Sequence, residues 1–308
     1  MSTGASRRIR RGWVLPPLLA VALTVAAMQP TSGQDGVIYS SGQNVAPAFE
    51  GWEENPDGTF TMVFGYFNRN WEEAVDIPIG PNNSLEPGGP DQGQPTHFLP
   101  RRNRFWFRIK VPKDFGNKEL VWTLTARGKT EKAYATLKPE YVIDRLLIMK
   151  EVGGVGNNRE TIKYVNNAAP ILRIEGETRR SAEVGKPLDL VAFVSDDGIP
   201  PAKPTARMLT GLSRVAWGLR VAWFVERGAG AVTFEPEQFK VYPDYVSGSP
   251  WTPGWEAPPL PPDGKVPVRV TFSTPGTFVL RAMAHDGGLV TTQDVTVTVK
   301  GASPVSSR

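Results

Sequence analysis

The sequence predicts an all-β protein, with two tandem β-sandwich domains behind an export leader. Three observations predict it. Gly (31) and Pro (29) make up about a fifth of the 308 residues, where a combined ~12% is usual, and they follow no period, as turn-rich β chains require. Short runs of β-branched and aromatic residues recur between Gly, Pro, Asn and Asp, with no long helical spacing. The chain also opens with a cationic stretch followed by an apolar one.

That opening is the leader, placed at residues 1–33. Arg7, Arg8, Arg10 and Arg11 precede an apolar run from Trp13 to Met28 that ends in small residues, Ala26 and Ala27. This is the order of a secretory signal, with cleavage after Ala27 or Gly33. The run is shorter than the ~20 residues of a spanning helix, and Pro16 and Pro17 interrupt it. No transmembrane anchor is therefore expected in the mature chain, which is read as periplasmic or extracellular, at the cell surface. With the four leader arginines set aside, the 35 Lys and Arg fall to the same 31 as the Asp and Glu. The basic pI belongs to the leader, and nucleic acid is not expected as a partner. The absence of cysteine excludes disulfides, thiolate chemistry and a lipid-modified Cys, so hydrophobic cores must hold the fold.

The first sandwich is placed at 37–150. Its strands are read at Thr59–Tyr66, Ala74–Ile79, Phe105–Val111, Leu120–Ala126 and Lys132–Leu137. In RFWFRIKV the core face is assigned to Phe105, Phe107, Ile109 and Val111, and the outward face to Arg104, Trp106, Arg108 and Lys110. The segment YVIDRLLIMKEV fits either a last strand or a short helix. Residues 151–169, with GGVGNN and VNNAAP, read as a linker.

The second sandwich is placed at 170–300, and 301–308 as a flexible tail. Strand-like segments are ILRIEG, PLDLVAFVSDDG, GLRVAWFVERG, AVTFEP, KVPVRVTFS, TFVLRAMAHDGG and VTTQDVTVTVK. In the last of these Val295, Val297 and Val299 share one face and Thr296 and Thr298 the other. Trp223, flanked by Val221 and Val225, is read as a core residue between the two sheets.

The stretch VAWFVERGAGAVTF … VTFSTPGTFVLRAMAHDGGLVTTQDVTVTV resembles immunoglobulin-like modules of the PKD and related bacterial surface-repeat kind, over about residues 170–300. It departs from them at Phe278, where many such modules carry a corner Tyr, and in lacking WDFGDG. Insertions fall at 199–217 and 236–264. The stretches GYFNRNWEEAVDIPIGPNNSLEPGGPDQGQPTHFLPRRNRFWFRIKVP and LVWTLTARGKT are similar to a domain recurrent in uncharacterised bacterial secreted proteins, over about 49–137. The first resemblance implies an immunoglobulin-like sandwich. The second implies no mechanism, because that domain carries no known catalytic residues.

The chemistry-bearing residues are few. His97 and His285 are the only histidines, so neither HExxH nor a histidine-rich zinc site exists. There is no GxSxG elbow, and the glycines at 153, 154 and 156 do not make a nucleotide fingerprint. Glu53-Glu54, Glu72-Glu73 and Asp196-Asp197 are neighbours in sequence. Adjacent strand residues point to opposite faces, so such a pair is not by itself a glycosidase site. The repeated WEE at 52–54 and 71–73 suggests two strands sharing a face. Asp196, Asp197, Asp286 and Asp294 fall near strand ends, where they either make turns or gather around Ca²⁺, the one cofactor considered. Tyr242, Tyr245, Trp251 and Trp255 crowd a proline-rich stretch. They form either a sugar-stacking platform or a lid stapled to its own sandwich.

The expected function is that of a secreted, non-catalytic structural or interaction protein of the cell surface, with a protein or polysaccharide partner. Carbohydrate binding through the aromatics at 242–255 is the alternative, and a glycan-active enzyme the lesser one.

Overall fold

A strand with one face on a core shows alternating burial, and Leu120–Ala126 does so without a break: Leu120, Trp122, Leu124 and Ala126 are buried, and the residues between them are half-exposed. The computed structural model describes residues 39–152, 163–202, 218–238 and 257–301. The leader, most of the 151–169 linker, the aromatic stretch and nearly all of the tail lie outside the described residues.

The first sandwich holds β1 (Val45–Glu54), β2 (Phe60–Asn68), β3 (Val75–Asp76), β4 (Asn83–Glu86), β5 (His97–Phe98), β6 (Arg101–Val111), β7 (Leu120–Ala126) and β8 (Lys129–Ala135). One sheet runs β1-β2-β6 and the other β4-β7-β8, and β3 pairs with β5. Aromatic rings fill the space between the sheets. Phe64 stacks on Phe107 at 5.2 Å, and both meet Trp122 edge-on, at 6.0 and 4.9 Å.

The expected alternation in β6 fails at one point. Phe64 pairs with Phe107 but Tyr66 pairs with Asn103, so residues 104–106 bulge opposite Gly65 alone. Only glycine fits there, because a Cβ would run into the Glu50 carboxylate and the Asn103 carbonyl. A bulge re-aims side chains. Phe105, at φ 51°, leaves the main core and packs beside Val63, Ile143 and Ile148. Trp106, expected on the outward face, is only 6% exposed because the second sandwich covers it. Other boundaries shift. Ala74–Ile79 contracts to the two residues of β3, and the second WEE, at 71–73, lies outside any strand, so the two copies do not share a face. Segment 141–152 resolves as helix α1 (Arg145–Glu151), capped by Asp144, whose carboxylate accepts the Leu147 N–H at 2.7 Å.

The long, nearly strandless stretch from 69 to 100 is held by buried amides. Every buried backbone group needs a partner. Asn83 Nδ2 donates to the carbonyls of Ile77 and Pro95, while its Oδ1 accepts the Trp122 indole N–H at 3.0 Å. Asn68 Nδ2 donates to the carbonyls of Glu73 and Phe98.

The second sandwich holds β9 (Ile171–Ile174), β10 (Arg179–Glu183), β11 (Leu188–Ser195), β12 (Arg220–Arg227), β13 (Val232–Glu235), β14 (Lys265–Phe272), β15 (Gly276–His285) and β16 (Val290–Lys300). Its sheets run β13-β14-β11-β9 and β10-β16-β15-β12. Relabelled A to G along the chain, this is the D-E-B-A sheet of an immunoglobulin-like sandwich packed on a G-F-C sheet. The first strand is split, so that β10 pairs with β16 in parallel. Trp223 is fully buried on β12, and Val295, Val297 and Val299 line the inner face of β16. Phe278 takes the corner and packs on Phe272 at 4.9 Å. Gly228, at φ +131°, lies so close that any Cβ would overlap the Phe278 ring.

Replacing Asn83 by Ala removes three buried hydrogen bonds at once. Since each orphaned buried group costs about 1–3 kcal/mol, Asn83→Ala is expected to lower the unfolding free energy by at least ~2 kcal/mol, read from the midpoint of a urea titration.

Candidate functional site

The two sandwiches meet through β12 and β15, whose facing residues are buried. A strand half exposed to water shows alternation, but β12 is buried at Val221, Ala222, Trp223, Phe224, Val225 and Glu226 in succession. Val221, Trp223 and Val225 face the second core. Ala222 and Phe224, joined by Met283 of β15, belong to the core of the first sandwich. Trp106 lies against Phe224 with ring centroids 5.1 Å apart. Hydrophobic material is thus continuous across the junction, and Tyr39–Arg308 form one compact unit.

Charge is buried in this contact. Glu226, 1% exposed, accepts the Trp106 indole N–H at 2.9 Å. Its backbone carbonyl accepts the Thr96 N–H. Arg281 Nη1 lies 2.9 Å from the other Glu226 oxygen. The same guanidinium bonds Asp294 through Nε and Nη2, at 2.7 and 2.9 Å. One cation therefore serves two carboxylates. Asp294 is partly exposed and takes the aligned pair of bonds, and Glu226 is left with an end-on contact in the dry interior. Burial pushes the Glu226 carboxyl up to about 7, against the pull of Arg281 and with the push of Asp294. Burial disfavours the Arg281 charge, but Glu226 and Asp294 outweigh it and hold the guanidinium protonated.

On one side of this contact Arg227 makes two bonds to Asp91, at 2.8 and 3.2 Å. The Gly228 and Gly230 amides donate to Thr96 Oγ1 and Asp76 Oδ2. Asp76 also holds His97 Nδ1 at 2.6 Å. Among the described residues, that is the only side-chain hydrogen bond of His97, and it involves no hydroxyl.

On the other side lies a cavity of about 360 Å³ between β6, α1 and the β15–β16 turn. Trp106, Phe105, Ile148 and Met283 provide its apolar walls, and Arg104, Arg108 and Arg145 stand around it. His285 also lines it. Burial, and next to it the charge of Arg220, hold His285 well below the usual histidine range, so it is neutral. Its Nδ1 accepts the Gly287 N–H at 2.7 Å, which places the ring proton on Nε2.

Of the aspartates read from the sequence, Asp196, Asp197 and Asp286 come to one end of the second sandwich. Asp286 is buried. It accepts the Gly288 and Leu289 amides at 2.5 and 2.6 Å and Asn167 Nδ2 at 3.1 Å, and burial raises its carboxyl to about 6. Asp197 accepts the amides of Ala168 and Ile199, and Asp196 that of Gly198. Asp294 stands elsewhere, on Arg281. Among the described residues, no group of three or more acidic or histidine side chains is placed to hold a metal. Tyr242, Tyr245, Trp251 and Trp255 lie outside the described residues. Sequence reading missed the role of Glu226 and the covering of Trp106. The available signal was the unbroken run VAWFVE, the mark of a strand buried on both faces.

The chain is an all-β protein of two joined sandwiches, the second with immunoglobulin-like strand order. No family model and no curated protein matches the chain. Solved structures similar to it include titin domains Z1Z2 in complex with telethonin, at 10% identity, covering 85% of this chain and 100% of that one with a TM-score of 0.23. Domains 4–9 of the surface layer protein SbsC are similar at 11% identity, covering 81% of this chain and 26% of that one, with a TM-score of 0.25. The N-terminal eight Ig domains of Down Syndrome Cell Adhesion Molecule are similar at 10% identity, covering 84% and 27%, also with a TM-score of 0.25. Among the described residues no helix is long and apolar enough to cross a membrane.

Glu226 makes the junction sensitive to pH. The folded state holds its proton more tightly than the unfolded chain, whose glutamate titrates near 4.5. The stability it supplies is full below that value and is lost as pH rises through about 7. Glu226→Gln keeps an acceptor for Trp106 and is expected to flatten this part of the stability profile, measured as Tm from pH 4.5 to 8. Glu226→Ala strands the Trp106 N–H and leaves Arg281 paired with Asp294 alone, and should cost about 1–3 kcal/mol.

Proposed function

We propose that the chain is an exported, non-catalytic module of the cell surface, and that the fused pair of sandwiches is its working unit. The observation that carries this reading is the continuous core, in which Ala222, Phe224 and Met283 of one sandwich pack into the other. A junction sealed in this way fixes the relative orientation of two binding surfaces, as a structural or adhesive element requires. The acid pairs of the first sandwich support a non-catalytic role. Glu53 lies on Arg108 at 3.5 Å and Glu73 on Arg127 at 2.5 Å, so both are held as surface ion pairs. Export rests on the cationic and apolar order of residues 1–33. The PKD-like assignment of 170–300 is supported by the strand order of the second sandwich and by the residues quoted above, and that of 49–137 by its sequence stretches alone. Ca²⁺ is left out of this reading, because the carboxylates of Asp196, Asp197 and Asp286 accept backbone amides and Asp294 is held by Arg281.

Expression of the full chain in a bacterial host, followed by fractionation and N-terminal sequencing, tests the proposal. The protein is expected in the periplasm, medium or envelope, beginning after Ala27 or Gly33. When incubated with envelope polysaccharides it should release no reducing sugar. Cytosolic retention with an intact N-terminus would overturn export, and reducing-sugar release would overturn the non-catalytic assignment.

A further inference from the structure

We propose that the cavity between the sandwiches binds a small amphipathic anion, a molecule with an apolar body and a single carboxylate or sulfonate group. Its volume, about 360 Å³, lies in the range of small-ligand pockets, roughly 300–1,000 Å³. Its walls come from three separate elements. Trp106 is fixed by its bond to Glu226, Ile148 by helix α1, and Met283 by the shared core, so the apolar surface is formed before any ligand arrives. Phe105 reaches the cavity only because its backbone takes φ 51°. A bulky residue at positive φ is strained, and such strain gathers at binding sites.

The charges around the opening define the head group. Arg104 pairs with Glu151 and Arg108 with Glu53. Arg145 has no carboxylate among the described residues, and its guanidinium touches only the Val165 carbonyl, at 3.4 Å. His285 adds no charge, being held neutral by burial. Among the described residues, three guanidiniums against two carboxylates leave one positive charge over an apolar chamber. A cation would meet that excess, and a polyanion would meet Glu53 and Glu151. A neutral apolar molecule would leave Arg145 unused. A monoanion with an apolar body satisfies both the walls and the rim, and guanidinium recognises carboxylate or sulfonate through paired N–H donors.

The probe is 8-anilinonaphthalene-1-sulfonate, with N-phenyl-1-naphthylamine as its twin lacking the sulfonate. When either is titrated into the folded full chain, fluorescence should saturate at one site, with the charged probe bound about tenfold more tightly, the worth of one charge-assisted contact. Arg145→Gln should erase that difference and leave the neutral twin unchanged. Met283→Trp should fill the chamber and abolish both signals. Val290→Trp, at an exposed wall position, supplies the same reading if Met283→Trp melts early. Equal affinity of the two probes in the parent, or parental binding by a folded variant with the chamber filled, would overturn the proposal.

Discussion

The buried contact of Trp106 and Arg281 with Glu226 is the constraint on which the rest of the molecule depends. It places a carboxylate where water cannot reach, and that is tolerated only while an indole N–H and a guanidinium both face it. Those two partners come from different sandwiches, so the contact exists only when the sandwiches are docked. Apolar surface does the rest. Phe224 and Met283 would be left bare if the first sandwich were removed, and Trp106 would be left bare if the second were. The junction combines the area of a core with the selectivity of a polar lock, and the cavity beside it is the space left where β6, α1 and the β15–β16 turn do not close fully.

Much of the fold was legible because period two is written plainly in several strands. Leu120–Ala126 and the valines of β16 alternate as a half-buried strand must, and Trp223 occupies the core as its apolar neighbours imply. The site was less legible for a physical reason: alternation reports burial, not which domain does the burying. Trp106 alternates as an outward residue of its own sandwich, and nothing local shows that another domain will cover it. Glu226 carries no sequence signal of its own, and only the unbroken apolar run before it points to burial. The β6 bulge was hidden as well, since the cause is a glycine on a different strand, Gly65. All four aspartates were grouped by their position near strand ends; three of them come together in space, whereas Asp294 is held by Arg281.

The first sandwich shows a second way to organise a chain without regular structure. From 69 to 100, Asn68 and Asn83 do through their amides what a β-ladder does through its backbone. An amide carries donors and an acceptor on one short side chain, so a single residue can tie two loop carbonyls and an indole. This explains why a segment rich in Gly, Pro and Asn is as well buried at its anchors as the strands around it, and why its polar residues cannot be read as surface.

The parallel pairing of β10 with β16 has a mechanical consequence. Five residue pairs, from Arg179 with Thr296 to Glu183 with Lys300, join the two strands. The first sandwich connects through β9 to the start of β10, and β16 leaves at Lys300. A pull applied between the start of β10 and the end of β16 draws the strands past one another lengthwise. The bonds between them share that load and must give way together, whereas a hairpin pulled at its open end parts one rung at a time.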